Sequence, residues 1–214
     1  VPVAALPSFL GGMADSANRL FLPPATPSPT GNSTTMTHPL PATKPAPQAP
    51  SATSATTNDG LALALARIPS GLFIVTWRDD GSDRGMLASW VMQAGFSPPA
   101  VTVAVAPGRD LLNAIDRGLP FAINILSDSQ RSLLARFGRP PAVGENPFAD
   151  LVVQRATGDT PVLVESAGWL ECHAAGRVGS DKSDHIVVLA TVTAAGASGA
   201  EQPLVHLRKN GLRY

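Results

Sequence analysis

The feature that most constrains the fold is a series of apolar runs of strand length in residues 59–214, separated by polar or proline-containing turns. The runs predicted to be strands are 71–79, 86–93, 100–106, 120–127, 168–178, 185–196 and a last one within 203–214. Short amphipathic helices are predicted at 60–68, 109–118 and 128–138. Six or more strands with small helices in their connections predict a mainly β (α+β) domain, a closed β-barrel with short helical insertions.

The first 58 residues differ in composition from the rest. They hold 11 of the 21 prolines and only three charged side chains, Asp15, Arg19 and Lys44. A segment dominated by Pro, Ala, Ser and Thr buries too little apolar surface to offset its ordering entropy. We therefore predict a disordered, semi-stiff linker over 1–58 and one domain over 59–214. A proline-rich ligand for another domain is the alternative for the linker.

Charge and cysteine content argue against several classes of protein. The formal net charge is 0 at pH 7, which provides no basic field for nucleic acid or for an anionic membrane. No apolar run approaches the ~18–20 residues that a membrane-spanning helix needs. The single cysteine, Cys172, argues against a disulfide framework and is interpreted as a core residue of a strand.

Common catalytic motifs are missing from the sequence. It contains no G-x-G-x-x-G fingerprint, no G-x-x-x-x-G-K-[ST] phosphate loop and no G-x-S-x-G nucleophile elbow. The four histidines, His38, His173, His185 and His206, lack the spacing of a metal site, so no metal site is predicted. Redox or transfer chemistry must then come from a bound organic cofactor.

Small residues are unusually frequent in the predicted strand 86–93 and beside it. Gly85, Ala88, Ser89 and Ala94 occupy positions where a strand normally carries larger β-branched side chains. Such residues leave space or expose the backbone, either for a ligand or for tight packing between strands.

Six motifs in order resemble one known family. They are GMLASW, SPPAVTVAVA, FAINIL, LEC, SDHIVV and VHLRKNGLRY. Together they resemble the flavin-reductase-like family, whose FMN-binding fold is a split β-barrel. The stretch MLASWVMQAGF before Pro-Pro, and the closing Arg-Lys-x-Gly-x-x-Tyr, are similar to the C-terminal flavin reductase module of diflavin flavodiiron proteins of cyanobacteria and chloroplasts. The resemblance covers residues 61–214.

The resemblance implies a set of flavin contacts. They are Met86, Leu87, Ala88, Ser89, Trp90, Ser97, Pro99, Arg109, Asn124, Lys209 and Tyr214. The small residues would let the backbone of the first strand reach the edge of the flat flavin ring. Arg109, at a helix start, would meet the FMN phosphate, or else is a solvent-exposed arginine. Asn124 would lie beside the flavin, with a structural hydrogen bond to the adjacent chain as the alternative. For Lys209 and Tyr214, the alternatives are charged surface and packing of the chain end.

The resemblance also implies a catalytic histidine. The family motif Gly-Asp-His corresponds to Ser183-Asp184-His185 here, so the first position differs. His185 would lie near the flavin face on which a nicotinamide stacks. The alternative is a loop histidine at the start of a strand.

The implied activity is that of an NAD(P)H:flavin oxidoreductase, in which a hydride passes from NAD(P)H to FMN and electrons move onward. The family context implies a homodimer, flavodoxin-like and diiron domains in cis or in trans, an oxygen-reducing flavodiiron system, and the chloroplast stroma or the cyanobacterial cytoplasm. Two alternatives stay open: a stand-alone flavin reductase that supplies a monooxygenase, and a non-enzymatic FMN-binding barrel.

Overall fold

The computed structural model describes residues 58–180, 182–198 and 201–212. The predicted linker therefore lies outside the described residues, except for Asn58. The helices are α1 (Asn58–Ala66), α2 (Asp110–Asp116) and α3 (Leu133–Phe137), with a 3₁₀ turn at Asp128–Gln130. The strands are β1 (Ser70–Gly71), β2 (Phe73–Asp79), β3 (Ser82–Ala88), β4 (Val91–Phe96), β5 (Pro99–Val105), β6 (Phe121–Ile125), β7 (Val153–Arg155), β8 (Pro161–Leu163), β9 (Gly168–Val178), β10 (Ile186–Ala197) and β11 (Val205–His206). None of the helices in these described ranges is long and apolar enough to cross a bilayer.

A seven-stranded antiparallel sheet dominates the domain, in the order β3-β2-β6-β9-β10-β5-β4. Its two edge strands, β3 and β4, are joined only by Ser89 and Trp90. Because consecutive Cα atoms are 3.8 Å apart, Ala88 and Val91 lie within about 11 Å of each other. The sheet must therefore curl until its two edges meet. This confirms the predicted mainly β barrel with short helical insertions.

The prediction of one strand over 86–93 is wrong. The chain leaves one edge of the sheet at Ala88 and enters the opposite edge at Val91. Of the two residues between them, Ser89 is a weak turn former and Trp90 is not one, and neither is a Gly, Pro, Asn or Asp. An uninterrupted run of small and apolar residues therefore concealed the crossing.

The hairpin before this crossing follows directly from its sequence. Asp80 and Gly81 connect β2 to β3 with positive φ angles of 47° and 74°. A two-residue turn with both angles positive matches the right-handed twist of the flanking strands, and Asp-Gly is a favoured pair for it. The turn fixes the register in which β3 pairs with β2.

Two apolar clusters lie on opposite faces of β2 and β6. Val75 and Phe121 belong to the cluster inside the barrel, whereas Ile74 packs against Phe137 and Phe148 on the other face. The alternation of Ile74 and Val75 is the two-residue period of a strand. Cys172 is fully buried in the cluster inside the barrel, which confirms its interpretation as a core residue.

Candidate functional site

Two adjoining pockets lie where the edges of the sheet meet. The larger pocket, about 640 Å³, lies among the end of α1, β4 and the C-terminal segment. The smaller pocket, about 450 Å³, lies among β3, the start of α2 and α3. Both fall within the range of about 300–1,000 Å³ that is usual for organic ligands. The residues that line both are Ser89, Ala104, His185 and Arg208.

The smaller pocket gathers five of the eleven sequence-predicted flavin contacts. Met86, Leu87, Ala88 and Ser89 line it, together with Arg109. β3 is an edge strand, so its ladder with β2 uses the backbone groups on one side only. The N–H and C=O groups on its other side point away from the ladder. A flat ligand with donors and acceptors along its edge fits such a strand.

Four side chains meet at the boundary between the pockets, and we call Ser89, Trp90, His185 and Arg208 the boundary cluster. Nη2 of Arg208 donates a hydrogen bond to Oγ of Ser89 over 3.0 Å. Cζ of Arg208 lies 4.3 Å from the centroid of the Trp90 ring. The ring centroids of Trp90 and His185 are 4.5 Å apart, with their planes tilted by 55°. Sequence reasoning found three members of this cluster and missed Arg208.

Arg208 could have been found from strand periodicity. His206 and Arg208 are two residues apart and both line the smaller pocket, as expected for side chains on one face of an extended segment. Lys209, predicted instead, is exposed and lines neither pocket. Its neighbour Arg208 lines both pockets instead, and a cofactor contact of Lys209 stays a prediction. Tyr214 lies outside the described residues.

Asn124 is a structural residue. Its side chain is fully buried and lines neither pocket. Nδ2 donates to the carbonyl of Ile74 over 2.9 Å and to Oγ1 of Thr76 over 3.0 Å. Oδ1 accepts a hydrogen bond from the backbone N–H of Leu163 over 2.8 Å. These bonds are those of the structural alternative, and the predicted flavin contact of Asn124 stays untested.

Ser97 and Pro99 also lie apart from the two pockets. Both are exposed at the tip of the hairpin between β4 and β5, and neither lines a pocket. Since a strand rises about 3.3 Å per residue, the six residues of β4 separate this tip from Trp90 by about 20 Å. The structure thus places Ser97 and Pro99 apart from both pockets, and their contact with a cofactor stays a prediction.

The packing of two aromatic rings against β3 requires a glycine at position 85. A Cβ at this position would lie 2.8 Å from Cε1 of Phe137 and 3.1 Å from Cζ of Phe148. The missing side chain lets both rings pack against β3. Only Ala88 and Ser89, among the small residues of this stretch, line the smaller pocket. Of the small residues predicted to leave space for a ligand, Ala88 and Ser89 are thus the ones that do so at this pocket.

Arg109 lies where the sequence placed it, directly before α2. Its exposed side chain lines the smaller pocket, and its carbonyl accepts the first helical hydrogen bond, from Leu112 N over 2.9 Å. With His206 and Arg208, it adds cationic or potentially cationic groups to the lining of this pocket. Such groups suit a phosphate-bearing ligand.

The thiol of Cys172 is unreactive at neutral pH. Burial, aided by the charge of the adjacent Glu171, raises the pKa of its thiol to about 12. The thiol therefore stays protonated at neutral pH and is a poor nucleophile. In the part of the chain that the structure describes, no group of three or more His, Cys, Asp and Glu side chains could hold a metal ion.

The sequence profile of the flavin reductase like domain matches residues 65–211. The chain belongs to the flavin reductase-like family. Membership makes it an oxidoreductase module of the flavin reductase type, and the matched range includes β3, the boundary cluster and the lining of both pockets except Leu212. The predicted family and fold are thereby confirmed.

Curated relatives of this flavin reductase-like chain include diflavin flavoprotein A 1 of Synechocystis sp. It is 37% identical over 153 residues, which cover 71% of this chain and 26% of the relative. The chain therefore spans about a quarter of the length of that relative.

Solved structures with the same split-barrel fold include flavin reductases. The NADH:FAD oxidoreductase SgcE6 of Streptomyces globisporus superposes with a TM-score of 0.61 at 21% identity, covering 67% of this chain and 84% of its own. The flavin reductase of the styrene monooxygenase from Pseudomonas putida S12 gives a TM-score of 0.58 at 24% identity, covering 67% and 90%. At these identities, the likeness concerns the fold.

Proposed function

We propose that this flavin reductase-like domain binds FMN in the smaller pocket and a reduced nicotinamide dinucleotide, NADH or NADPH, in the larger one. The observation that carries the proposal is that the two pockets adjoin and share Ser89, His185 and Arg208 in their linings. Two ligands in these pockets meet at the boundary cluster, as a two-substrate transfer requires.

The residues of the smaller pocket fit a flavin. The outward-facing backbone groups of β3 suit the donors and acceptors along the ring edge, and Ala88 keeps the strand accessible. Arg109 would hold the phosphate. A bound flavin supplies the two-electron chemistry, accepting a hydride from the nicotinamide and passing electrons onward.

The residues of the larger pocket fit a nicotinamide ring. Leu65, Ile68 and Leu212 give it an apolar wall, and Trp90 adds an aromatic one. His185 lies at the boundary, with Nδ1 3.5 Å from Oδ2 of Asp184. We assign His185 the role of orienting the nicotinamide against the flavin. The determination of SgcE6 with NAD and FAD fragments supports this pairing of ligands.

The acceptor of the electrons is proposed from the relatives. Identity of 37% to a part of diflavin flavoprotein A 1 supports electron transfer to flavodoxin-like and diiron domains, in cis or in trans, in an oxygen-reducing flavodiiron system. The cyanobacterial relatives support the cytoplasm of a cyanobacterium or the chloroplast stroma as the compartment. A stand-alone reductase for a monooxygenase is the second candidate, favoured by the likeness to the styrene monooxygenase reductase, 90% of which is covered.

A homodimer is proposed through the outer face of the barrel. Met92, Leu189, Val187 and Val178 are exposed there, and Met92 and Val187 also line the larger pocket, so this face adjoins the proposed nicotinamide site. Strand pairing aligns Met92 and Leu189 on either side of Thr102. An exposed apolar surface of this kind marks an interface. Because these aligned side chains are uncharged, two identical copies can meet without charge repulsion.

The test is an absorption spectrum of the purified full chain loaded with FMN, gel-filtered and then reduced anaerobically with NADH or NADPH. Retained flavin that bleaches supports the proposed module. Flavin that is reduced but lost on gel filtration favours the stand-alone reductase. Retained flavin that does not bleach identifies a non-enzymatic barrel, and no binding of flavin contradicts the proposal.

A further inference from the structure

One side chain contacts both residues that join the two edges of the barrel. Ser89 and Trp90 form the whole connection between β3 and β4. Arg208 donates a hydrogen bond to Oγ of Ser89 over 3.0 Å, and its Cζ lies 4.3 Å from the centroid of the Trp90 ring. Ser89 and Trp90 are neighbours in sequence, while Arg208 is 119 residues from Ser89.

The contact extends across the boundary between the pockets. Trp90 lines the larger pocket, Ser89 lines both, and the Trp90 ring packs on His185 with centroids 4.5 Å apart. The backbone of the connection is tied separately, since the carbonyl of Trp90 accepts a hydrogen bond from Ala104 N over 2.9 Å. Arg208 contacts the side chains of the connection in addition to this backbone hydrogen bond.

The segment that carries Arg208 is itself attached to the domain. Gly211 N donates a hydrogen bond to the carbonyl of Ala62 in α1 over 2.9 Å. A Cβ on Gly211 would lie 2.7 Å from the backbone nitrogen of Ala66, so a glycine is needed for this close approach. The position of Arg208 is thus determined from β11 on one side and from α1 on the other.

We propose that Arg208 is a positioning residue, which holds the Ser89 hydroxyl and the Trp90 indole at the boundary of the two pockets and so sets where the two reacting rings meet. The inference rests on the proposed function, because hydride transfer requires the reacting atoms to lie about 3–3.5 Å apart. A displacement of Trp90 or Ser89 changes this separation without removing any group that touches a reacting atom.

Arginine suits this role for geometric reasons. Its planar guanidinium stacks on an indole face, while N–H groups in the same plane donate to a hydroxyl at its edge. Lysine keeps the charge and the attraction to the ring but lacks the plane. Glutamine keeps donors but loses both the charge and the stacked cation. The order of function expected is therefore arginine, then lysine, then glutamine.

The first readout requires no ligand. Replacing the stacked cation in Arg208→Gln changes the environment of Trp90, so the intrinsic tryptophan fluorescence of the unliganded full chain should shift, and Arg208→Lys should shift it less. Arg131→Gln is the matched control, because Arg131 is an exposed arginine that lines neither pocket. The fluorescence emission of the Arg131→Gln variant should equal that of the unaltered protein. Melting curves confirm that each variant is folded.

The second readout is the rate at which bound FMN is reduced in an anaerobic stopped-flow experiment with NADH and NADPH. Misplacement of the rings should lower the limiting rate in Arg208→Gln by about tenfold or more, with partial recovery in Arg208→Lys. In a Ser89→Ala/Trp90→Leu background, the same substitution should have much less effect, since its partners are gone. Arg131→Gln should reduce at the unaltered rate.

The outcomes separate the two proposals. If the unaltered protein binds FMN and is reduced, but Arg208→Gln matches it in rate and emission, the positioning role is overturned and the proposed function stands. An undiminished effect of Arg208→Gln in the Ser89→Ala/Trp90→Leu background also overturns it, because Arg208 would then act on a ligand directly. Absence of flavin binding in the unaltered protein removes the proposed function and this inference with it.

Discussion

The side chain of Asn124 accepts a hydrogen bond from the backbone N–H of Leu163 over 2.8 Å, and so ties β6 to β8, a strand outside the seven-stranded sheet. The same side chain donates to Ile74 O and Thr76 Oγ1 of β2. One buried amide thus holds three strands together. It is the kind of polar group whose removal leaves several buried partners unsatisfied.

We expect Asn124→Ala to destabilise the domain by about 2–4 kcal/mol, because unsatisfied buried groups each cost about 1–3 kcal/mol. Urea unfolding followed by circular dichroism measures this loss. The affinity of the folded fraction for FMN should be unchanged, since Asn124 lines neither pocket. Asn113→Ala, at an exposed position, is the control. A selective loss of FMN affinity at unchanged stability would restore Asn124 to the cofactor site.

Gly85→Ala should destabilise by about 1–3 kcal/mol through overpacking. The added methyl group would lie 2.8 Å from the ring of Phe137. Thermal melting measures the effect, and Phe137→Leu in the same chain should recover part of it by removing the ring. If Gly85→Ala melts like the unaltered protein, the packing explanation is incorrect.

Arg109→Gln should weaken the binding of FMN but not of riboflavin, which lacks the phosphate. Because Arg109 is exposed, we expect a loss of about three- to tenfold at low ionic strength that shrinks as salt is added. Fluorescence titration with each flavin at two salt concentrations measures it, with Arg131→Gln as control. Equal losses for both flavins would exclude a phosphate contact.

Leu189→Lys should convert the proposed dimer to a monomer. The substitution places a charge in the middle of the exposed apolar face, where two copies would bring two such charges together. Sedimentation velocity measures the mass, and Val143→Lys, at an exposed position in the loop before β7, is the control. A protein that is monomeric without substitution refutes the interface outright.

The thiol of Cys172 should lower the free energy of unfolding in alkaline solution. Burial raises the pKa of its thiol from 9.0 to about 12, so between these values the unfolded chain releases a proton that the folded chain retains. The free energy of unfolding therefore falls as pH rises above 9. Cys172→Ala should lose this component of the pH dependence, measured by urea unfolding from pH 8 to pH 10.5. Identical pH profiles for the two proteins would contradict it.

Local sequence signals predicted the parts of the fold that local forces determine. Residues 168–178 were predicted as a strand and form β9 with the same bounds. Asp80 and Gly81 were predicted as part of a turn, because their conformational preferences act within the turn itself. The three-residue strands β7 and β8 were missed, since runs this short carry no measurable period.

The candidate site was predicted less completely, because contacts distant in sequence decide it. The sequence shows that Asn124 is polar in an apolar strand, but not that Leu163 and Thr76 satisfy it. Family motifs pointed to the C-terminal segment, yet the choice between Lys209 and Arg208 depends on which side of that segment faces the barrel.

The two-residue connection at Ser89 and Trp90 has a thermodynamic consequence. The barrel closes where the two pockets adjoin, so the connection between its edges also lines the pockets: Ser89 lines both and Trp90 lines the larger one. A ligand that binds there stabilises the closed barrel, because it binds the folded state and not the unfolded one. Its concentration therefore raises the melting temperature of the entire domain. The concentration of the cofactor would then determine the lifetime of the folded protein as well as its catalytic rate.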